Sequence, residues 1–309
     1  MLCVEVEPLA DLDLSAVVPL ARWEIRPALV EGRSALIDHP VDSTQVLRAK
    51  GIAWTDRHGA VNPPSSESWF SDGRERWLAC DVSPEGWITG RPTEDRAVGA
   101  MPLPRVDAEI EATTRLAAVG VDVSTVVGRG RYLEWEFDGE PLGFLVLAEP
   151  RGLRRLGATI DARGLDTPET ASDLRDAGAL LHEVHRAGLV DISPHLGNMS
   201  RVGSRLRAHD LDRWRDREEL TPDQQWAYRV RDTAILGWSL ARRTYRKEHT
   251  ALRHALAREV MAGYMGDDRA VADIPAVELI RFVGMLRSGG LIHDLEGTWP
   301  RLVRERMDT

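Results

Sequence analysis

Two cysteines, Cys3 and Cys80, are all the thiol chemistry that 309 residues carry. That scarcity excludes a disulfide framework and a cysteine-ligated zinc, and a reducing, cytoplasmic setting is expected. Lysine is as rare: Lys50 and Lys247 stand against 38 arginines among the 40 basic residues. Coding bias accounts for arginine wherever either cation serves, so a surviving lysine marks a place where a compact ammonium is needed rather than a planar fork. There is no basic block, and the net charge is −9, so nucleic acid is not expected as the main partner. No apolar run approaches the roughly 20 residues that span a bilayer, so no membrane is expected either. The opening MLCVEVEPLADLDL is acidic and does not read as a secretory or transit signal. Nothing in the pattern fixes an oligomeric state.

What is present is ordinary apolar content, enough for one large core or two lobes. The first 50 residues read as short strands, ALVEGRSALI and TQVLRAKGIAW, with Lys50 ending the second. Residues 55–104 are loop-rich, with a hairpin expected at WLACDV and GWITG. In or beside this segment lie Trp54, Trp69, Trp77 and Trp87, read as packing anchors. Helical periodicity runs over 106–119 and stops at Gly120. RYLEWEF, the turn Asp138-Gly139 and LGFLVLAE form the clearest hairpin. After about residue 150 the pattern is helical. One helix begins at a Thr-Pro-Glu-Thr start signal and ends at Gly188, a long amphipathic one runs from Thr221 to Lys247, and two or three more follow. An α+β chain is expected, with a strand-rich lobe over 1–149 and a helical lobe over 150–309.

Between the two long helices lies LVDISPHLGNMSRVGSRLRAHDLDRW, which collects Asp191, Asn198, Asp210 and Asp212 between apolar spans. Magnesium takes oxygen ligands, and Asn198 and Asp210 stand at the two ends of a hairpin-like turn. Lys50 at a strand end suits phosphate oxygens. Glu109, or Glu111 beside it, suits an acid that steadies such a lysine. Asp191 is the first candidate for orienting or deprotonating an acceptor hydroxyl. His182, His185 and His195 complete no recognisable zinc set; His185 reads as a structural histidine packing the acid-rich loop.

LLHEVHRAGLVDISPHLGNM, LRAHDLD and FLVLAEP resemble the catalytic-loop, metal-binding and hinge passages of the protein-kinase-like superfamily, especially its aminoglycoside-phosphotransferase-like branch. AKGIAW, EIEATTRLAAVGV and NMS are similar to the selenoprotein O family of AMP-transferring kinases. The resemblance implies a bilobal kinase-like fold and an ATP- and Mg2+-dependent phosphotransferase acting on a hydroxyl of a small molecule or peptide. Protein AMP transfer and a nucleotide-binding pseudokinase are the alternatives. Carried over residue by residue, it implies Lys50 at the phosphates with Glu109 holding it, Asn198 and Asp210 at the metal, and Asp191 as the catalytic carboxylate that orients or deprotonates the acceptor hydroxyl.

The chain departs from the pattern in four places. The family's catalytic Asp lies five residues before the metal-binding Asn, whereas Asp191 lies seven before Asn198. Either the loop is longer, or Ser193 takes the catalytic slot. VEGRSAL has one glycine where several are usual. The interval from Lys50 to Glu109 requires an insertion, and no long activation segment follows Asp212.

Overall fold

The structure is a computed structural model that describes residues 2–56, 58–65, 68–69, 80–82, 88–90, 96–97, 99–241 and 250–266. Trp77, Trp87, Lys247 and the chain after Gly266, where further helices are expected, lie outside the described residues. Two compact units emerge: Met1–Asp72, Glu94–Thr114 and Val123–Leu153 form the first, and Gly73–Thr93, Arg115–Asp122 and Arg154–Thr309 the second.

The first unit is built on an antiparallel sheet. Strand β1 (Val4–Pro8) precedes a short helix, α1 (Val17–Ala21), and strands β2 (Val30–Glu31), β3 (Ser34–Asp38) and β4 (Gln45–Lys50). In the inserted segment come β5 (Trp54–Thr55), β6 (Val61–Asn62), β7 (Ser68–Trp69), β8 (Cys80–Val82), β9 (Ile88–Gly90), β10 (Arg96–Ala97) and β11 (Met101–Pro102). β8 and β9 pair as the expected hairpin, though they belong to the second unit. Helix α2 (Leu103–Ala118) follows, then β12 (Thr125–Phe137) and β13 (Glu140–Pro150). Their connection places Asp138 at φ 53° and Gly139 at φ 78°. Paired left-handed residues match the right-handed twist of a two-residue hairpin, which is why Asp-Gly serves there.

The sheet order is β1-β12-β13-β4-β3-β2, with β11 added beside β13. β4 is central and buried along nearly its whole length. Alternation then sorts its side chains. Leu47 and Ala49 share one face with Ala35, Phe144, Val146 and Ala148, and this face holds the main core together with Val17 and Ala21 of α1. Arg48 and Lys50 share the other face with Leu145 and Leu147, which pack against Met101 and Val106. Two cations on an inner face of a central strand are unexpected for a core and point to a ligand-facing surface.

The second unit contains α3 (Leu156–Arg163), α4 (Pro168–Arg186), β14 (Leu189–Val190), β15 (Met199–Val202), β16 (Arg205–Ala208), β17 (Arg215–Asp216), α5 (Pro222–Ala241) and α6 (Thr250–Met265). Thr167 caps α4 by accepting from the Thr170 N–H, with Pro168 in the first helical position. α4 and α6 approach so closely that a Cβ on Gly178 would strike the Val260 carbonyl, and one on Gly263 would strike the Arg175 carbonyl. Among the described residues no helix is long and apolar enough to cross a membrane. The fold is therefore α+β in a strand-rich and a mainly helical unit, with the lysine-bearing strand at mid-sheet and the acid-bearing helix inserted before the hairpin.

Candidate functional site

In the first unit Lys50 Nζ lies 2.5 Å from Glu109 Oε2, across 59 residues of sequence. Both are buried, 4% and 3% exposed. Helix periodicity explains the choice of acid. Val106, Glu109, Ala112, Thr113 and Leu116 form the buried stripe of α2, whereas Glu111 faces solvent. The backbone beyond Lys50 is pinned from two sides. Tyr132 donates its hydroxyl to the Gly51 carbonyl at 3.0 Å, and Trp23 donates its indole N–H to the Ile52 carbonyl at 2.9 Å. Burial pushes the Tyr132 phenol well above its usual range, so it remains a donor.

Two residues earlier on the same strand face, Arg48 donates from Nε to Glu149 Oε2 at 2.7 Å and from Nη2 to Glu31 Oε2 at 2.9 Å. Ser124 donates to the other Glu149 oxygen at 2.9 Å. Burial alone would lower the Arg48 pKa, but the Glu149 and Glu31 carboxylates outweigh it and the net shift is upward. Sequence reading missed this pair. Its available signal was Arg48 and Glu149 each standing inside an apolar strand run.

In the second unit, the β15–β16 hairpin brings Asn198 and Asp210 together. Met199 pairs with Ala208, and the His209 N–H donates to the Asn198 carbonyl at 2.9 Å. Asn198 and Asp210 line one small cavity of about 20 Å³ with Ser193. The Asn198 side chain donates its Nδ2 to the Ser193 carbonyl at 3.0 Å, which fixes the amide and leaves its oxygen as an acceptor. Asp210 is half-buried with φ 54°. A non-glycine residue in that region costs energy and is held by its surroundings. Asn198 and Asp210 thus bring an amide oxygen and a carboxylate, the ligand types magnesium takes, to a small cavity otherwise lined mainly by apolar side chains.

Asp191 does not line that cavity. It is 2% exposed and ringed by arginines: Arg231 Nη1 lies 3.1 Å from Oδ1, and Arg215 Nε and Arg213 Nε lie 3.4 and 4.0 Å from Oδ2. Its φ is 61°. The carboxylate expected to meet an acceptor lies among these arginines, and Ser193 is the loop residue whose carbonyl accepts from the Asn198 amide.

Helix α5 holds this loop at both ends, a clamp that sequence reading also missed. Asp232 accepts from the Ile192 N–H at 3.3 Å, Arg231 donates to the Ile192 carbonyl at 3.2 Å, and Ser239 accepts from the Leu196 N–H at 3.0 Å. His185 extends the network. Its Nε2 lies 3.2 Å from Asp232 Oδ2 and its Nδ1 2.8 Å from the Tyr264 hydroxyl, which in turn accepts from Arg229 Nε at 2.9 Å. The tautomer that satisfies every partner donates from Nε2 to Asp232 and accepts at Nδ1 from Tyr264.

Burial lowers the His185 pKa below its ordinary 6.5, despite the pull of Asp232. The unfolded chain then binds a proton that the native imidazole refuses, so stability is highest above about pH 6.5 and is lost as pH falls below it. Urea unfolding between about pH 5 and 7.5 should show that slope, and His185→Gln should flatten it. An unchanged slope in the variant would move the proton uptake to another group.

No protein-family model matches the chain, and no curated protein matches it. Among solved structures it is similar to WaaP in complex with acyl carrier protein, at 18% identity over 77% of this chain and 95% of that one, TM-score 0.40. It is also similar to glucosamine kinase (crystal form B), at 14% identity over 98% and 92%, TM-score 0.40. A third is glucosamine kinase in complex with glucosamine, ADP and inorganic phosphate, at 14% identity over 96% and 98%, TM-score 0.36.

Proposed function

We propose that the chain is a kinase-like phosphotransferase that binds a magnesium-bound nucleoside triphosphate, ATP or a close relative, and acts on a hydroxyl of a small molecule or peptide. The buried Lys50–Glu109 pair carries the reading. Removing two charges from water costs several kcal/mol per ion, and a chain with two lysines retains one of them at this position. Lys50 would hold phosphate oxygens while Glu109 fixes the ammonium. Asn198 and Asp210 would hold magnesium, which when bound supplies neutralising charge for the phosphates.

Phosphoryl transfer through a loose transition state asks a protein mainly for positioning and electrostatic stabilisation. Ser193 orients an acceptor hydroxyl in this reading; it cannot take the proton as a carboxylate would. That same serine favours a second reading, AMP transfer or nucleotide binding without transfer. Products separate the readings. Nucleoside diphosphate with a phosphorylated acceptor marks phosphotransfer, pyrophosphate with an adenylated acceptor marks AMP transfer, and neither marks a pseudokinase.

Nucleotide with magnesium should also raise the melting temperature, by the equivalent of about 2.7 kcal/mol at a concentration 100 times Kd. Asp210→Ala should remove the magnesium-dependent part of that shift and leave the nucleotide-only part. A wild-type chain that shows no shift at millimolar nucleotide would overturn the reading.

A further inference from the structure

Lys50 is the last residue of β4, paired with Leu145 on one side and Ser34 on the other. Its ammonium sits at the tip of a flexible aliphatic stem, so where the charge points depends on the backbone at and just past residue 50. The chain leaves the sheet there in a conformation open to few residues. Gly51 has φ 105°, and a Cβ on it would stand 3.0 Å from the Gly143 carbonyl oxygen and 3.1 Å from Phe144 Cβ. The Gly51 N–H donates to the Arg33 carbonyl at 2.8 Å. Gly51 and Ile52 are both buried, so their carbonyls need donors from within the protein.

Two side chains distant in sequence supply those donors, the Tyr132 hydroxyl to Gly51 from 81 residues away and the Trp23 indole to Ile52 from 29. Tyr132 comes from the face opposite Lys50. It belongs with Leu47, Ala49 and Ile52 to the main core, and its ring lies 5.6 Å from that of Phe144. Trp23 is the less expected donor. Its φ is 56°, a region that a bulky residue occupies only under constraint and that glycine or asparagine fills more readily. A half-buried, strained tryptophan whose one polar atom ends on the backbone two residues past Lys50 points to a role at that strand end.

We infer that Tyr132 and Trp23 are positioning residues for Lys50. By holding the Gly51 and Ile52 carbonyls they fix the end of β4, and with it the direction of the ammonium toward Glu109 and the phosphates. The inference rests on the reading of Lys50 as the phosphate-binding cation. A misdirected lysine forfeits a hydrogen bond between charged groups, worth roughly tenfold or more in affinity.

The scarcity of lysine supplies the readout. The full chain grown on isotope-labelled lysine has two lysine Cε resonances, from Lys50 and Lys247, and Lys247→Arg assigns them. ATP with magnesium should move the Lys50 resonance of the wild-type chain. Tyr132→Phe and Trp23→Phe each keep an aromatic ring and remove one donor. At a temperature where each variant is folded, its Lys50 resonance should shift or broaden before any nucleotide is added, while that of Lys247 stays in place. ATP with magnesium should then bind roughly tenfold more weakly, measured by calorimetry. A lowered melting temperature with the Lys50 resonance and the ATP affinity of the wild type in both variants overturns the inference, because the two donors would then support only the fold. If Tyr132→Phe does not fold, Trp23→Phe decides by the same two readings. A wild-type Lys50 resonance that ATP with magnesium leaves unmoved overturns the phosphate-binding reading itself, and the inference with it.

Discussion

Lys50→Met is expected to lose nucleotide-dependent stabilisation and to cut turnover by about 10²–10³, the range seen when a preorganised charge-stabilising donor is removed. It should also destabilise the fold. The substitution leaves Glu109 buried without its ammonium at 2.5 Å, and breaking a buried pair from one side costs about 3–5 kcal/mol. Those two effects must be separated, since a half-unfolded enzyme is also inactive. Adding Glu109→Leu removes the stranded carboxylate, and replacing both partners of a buried pair by apolar groups is often neutral. The double variant should recover most of the lost melting temperature and none of the activity. Lys50→Arg should fail nearly as badly as Lys50→Met. A guanidinium is longer and flatter than an ammonium, and it must enter a space that leaves Lys50 only 4% exposed. Lys247→Arg is the control and should be silent. Activity returning with stability in the double variant would mean that Lys50 only supports the fold.

Local signals carried much of the fold because they are local. The Asp138-Gly139 turn, the Thr167 cap and the 3.6-residue stripe of α2 depend on neighbours within a few positions, so they can be read in order along the chain. The preference for Glu109 over Glu111, argued from resemblance, also had a physical warrant in that stripe: Glu109 lies three residues after Val106 and seven before Leu116, on the inward face. Groups that meet across long separations were not legible. Arg48 finds Glu149 across 101 residues, and Ile192 finds Asp232 across 40. Neither pairing leaves a periodic trace. An isolated acid inside RDTAILGW and an isolated acid at the end of FLVLAEP were the traces available. A single charge within an apolar run says that a partner exists, not which one.

Asp191→Asn is expected to cost about 3–5 kcal/mol of stability while changing turnover less than tenfold at temperatures where the variant is folded. The substitution is clean at the backbone, because asparagine tolerates the left-handed φ of 61° as readily as aspartate. It is not clean electrostatically. Arg231, itself buried, loses an opposing charge at 3.1 Å, and Arg215 and Arg213 lose theirs. An uncompensated buried cation is the dominant penalty, and Asp232 at 2.7 Å offsets only part of it. Ser193 stands on the other side of the comparison, in the cavity with Asn198 and Asp210. Ser193→Asp would supply the carboxylate that the loop lacks there, and a positioned general base contributes roughly 10²–10⁴ in rate. The expected pattern is therefore reciprocal. The aspartate variant at 193 gains turnover with little change in melting temperature, and the asparagine variant at 191 loses melting temperature with little change in turnover. Steady-state kinetics and thermal unfolding on both variants decide it. If Asp191→Asn instead lowers kcat by two orders of magnitude with its stability intact, the carboxylate reaches the acceptor during turnover. The arginine nest would then hold it between catalytic cycles.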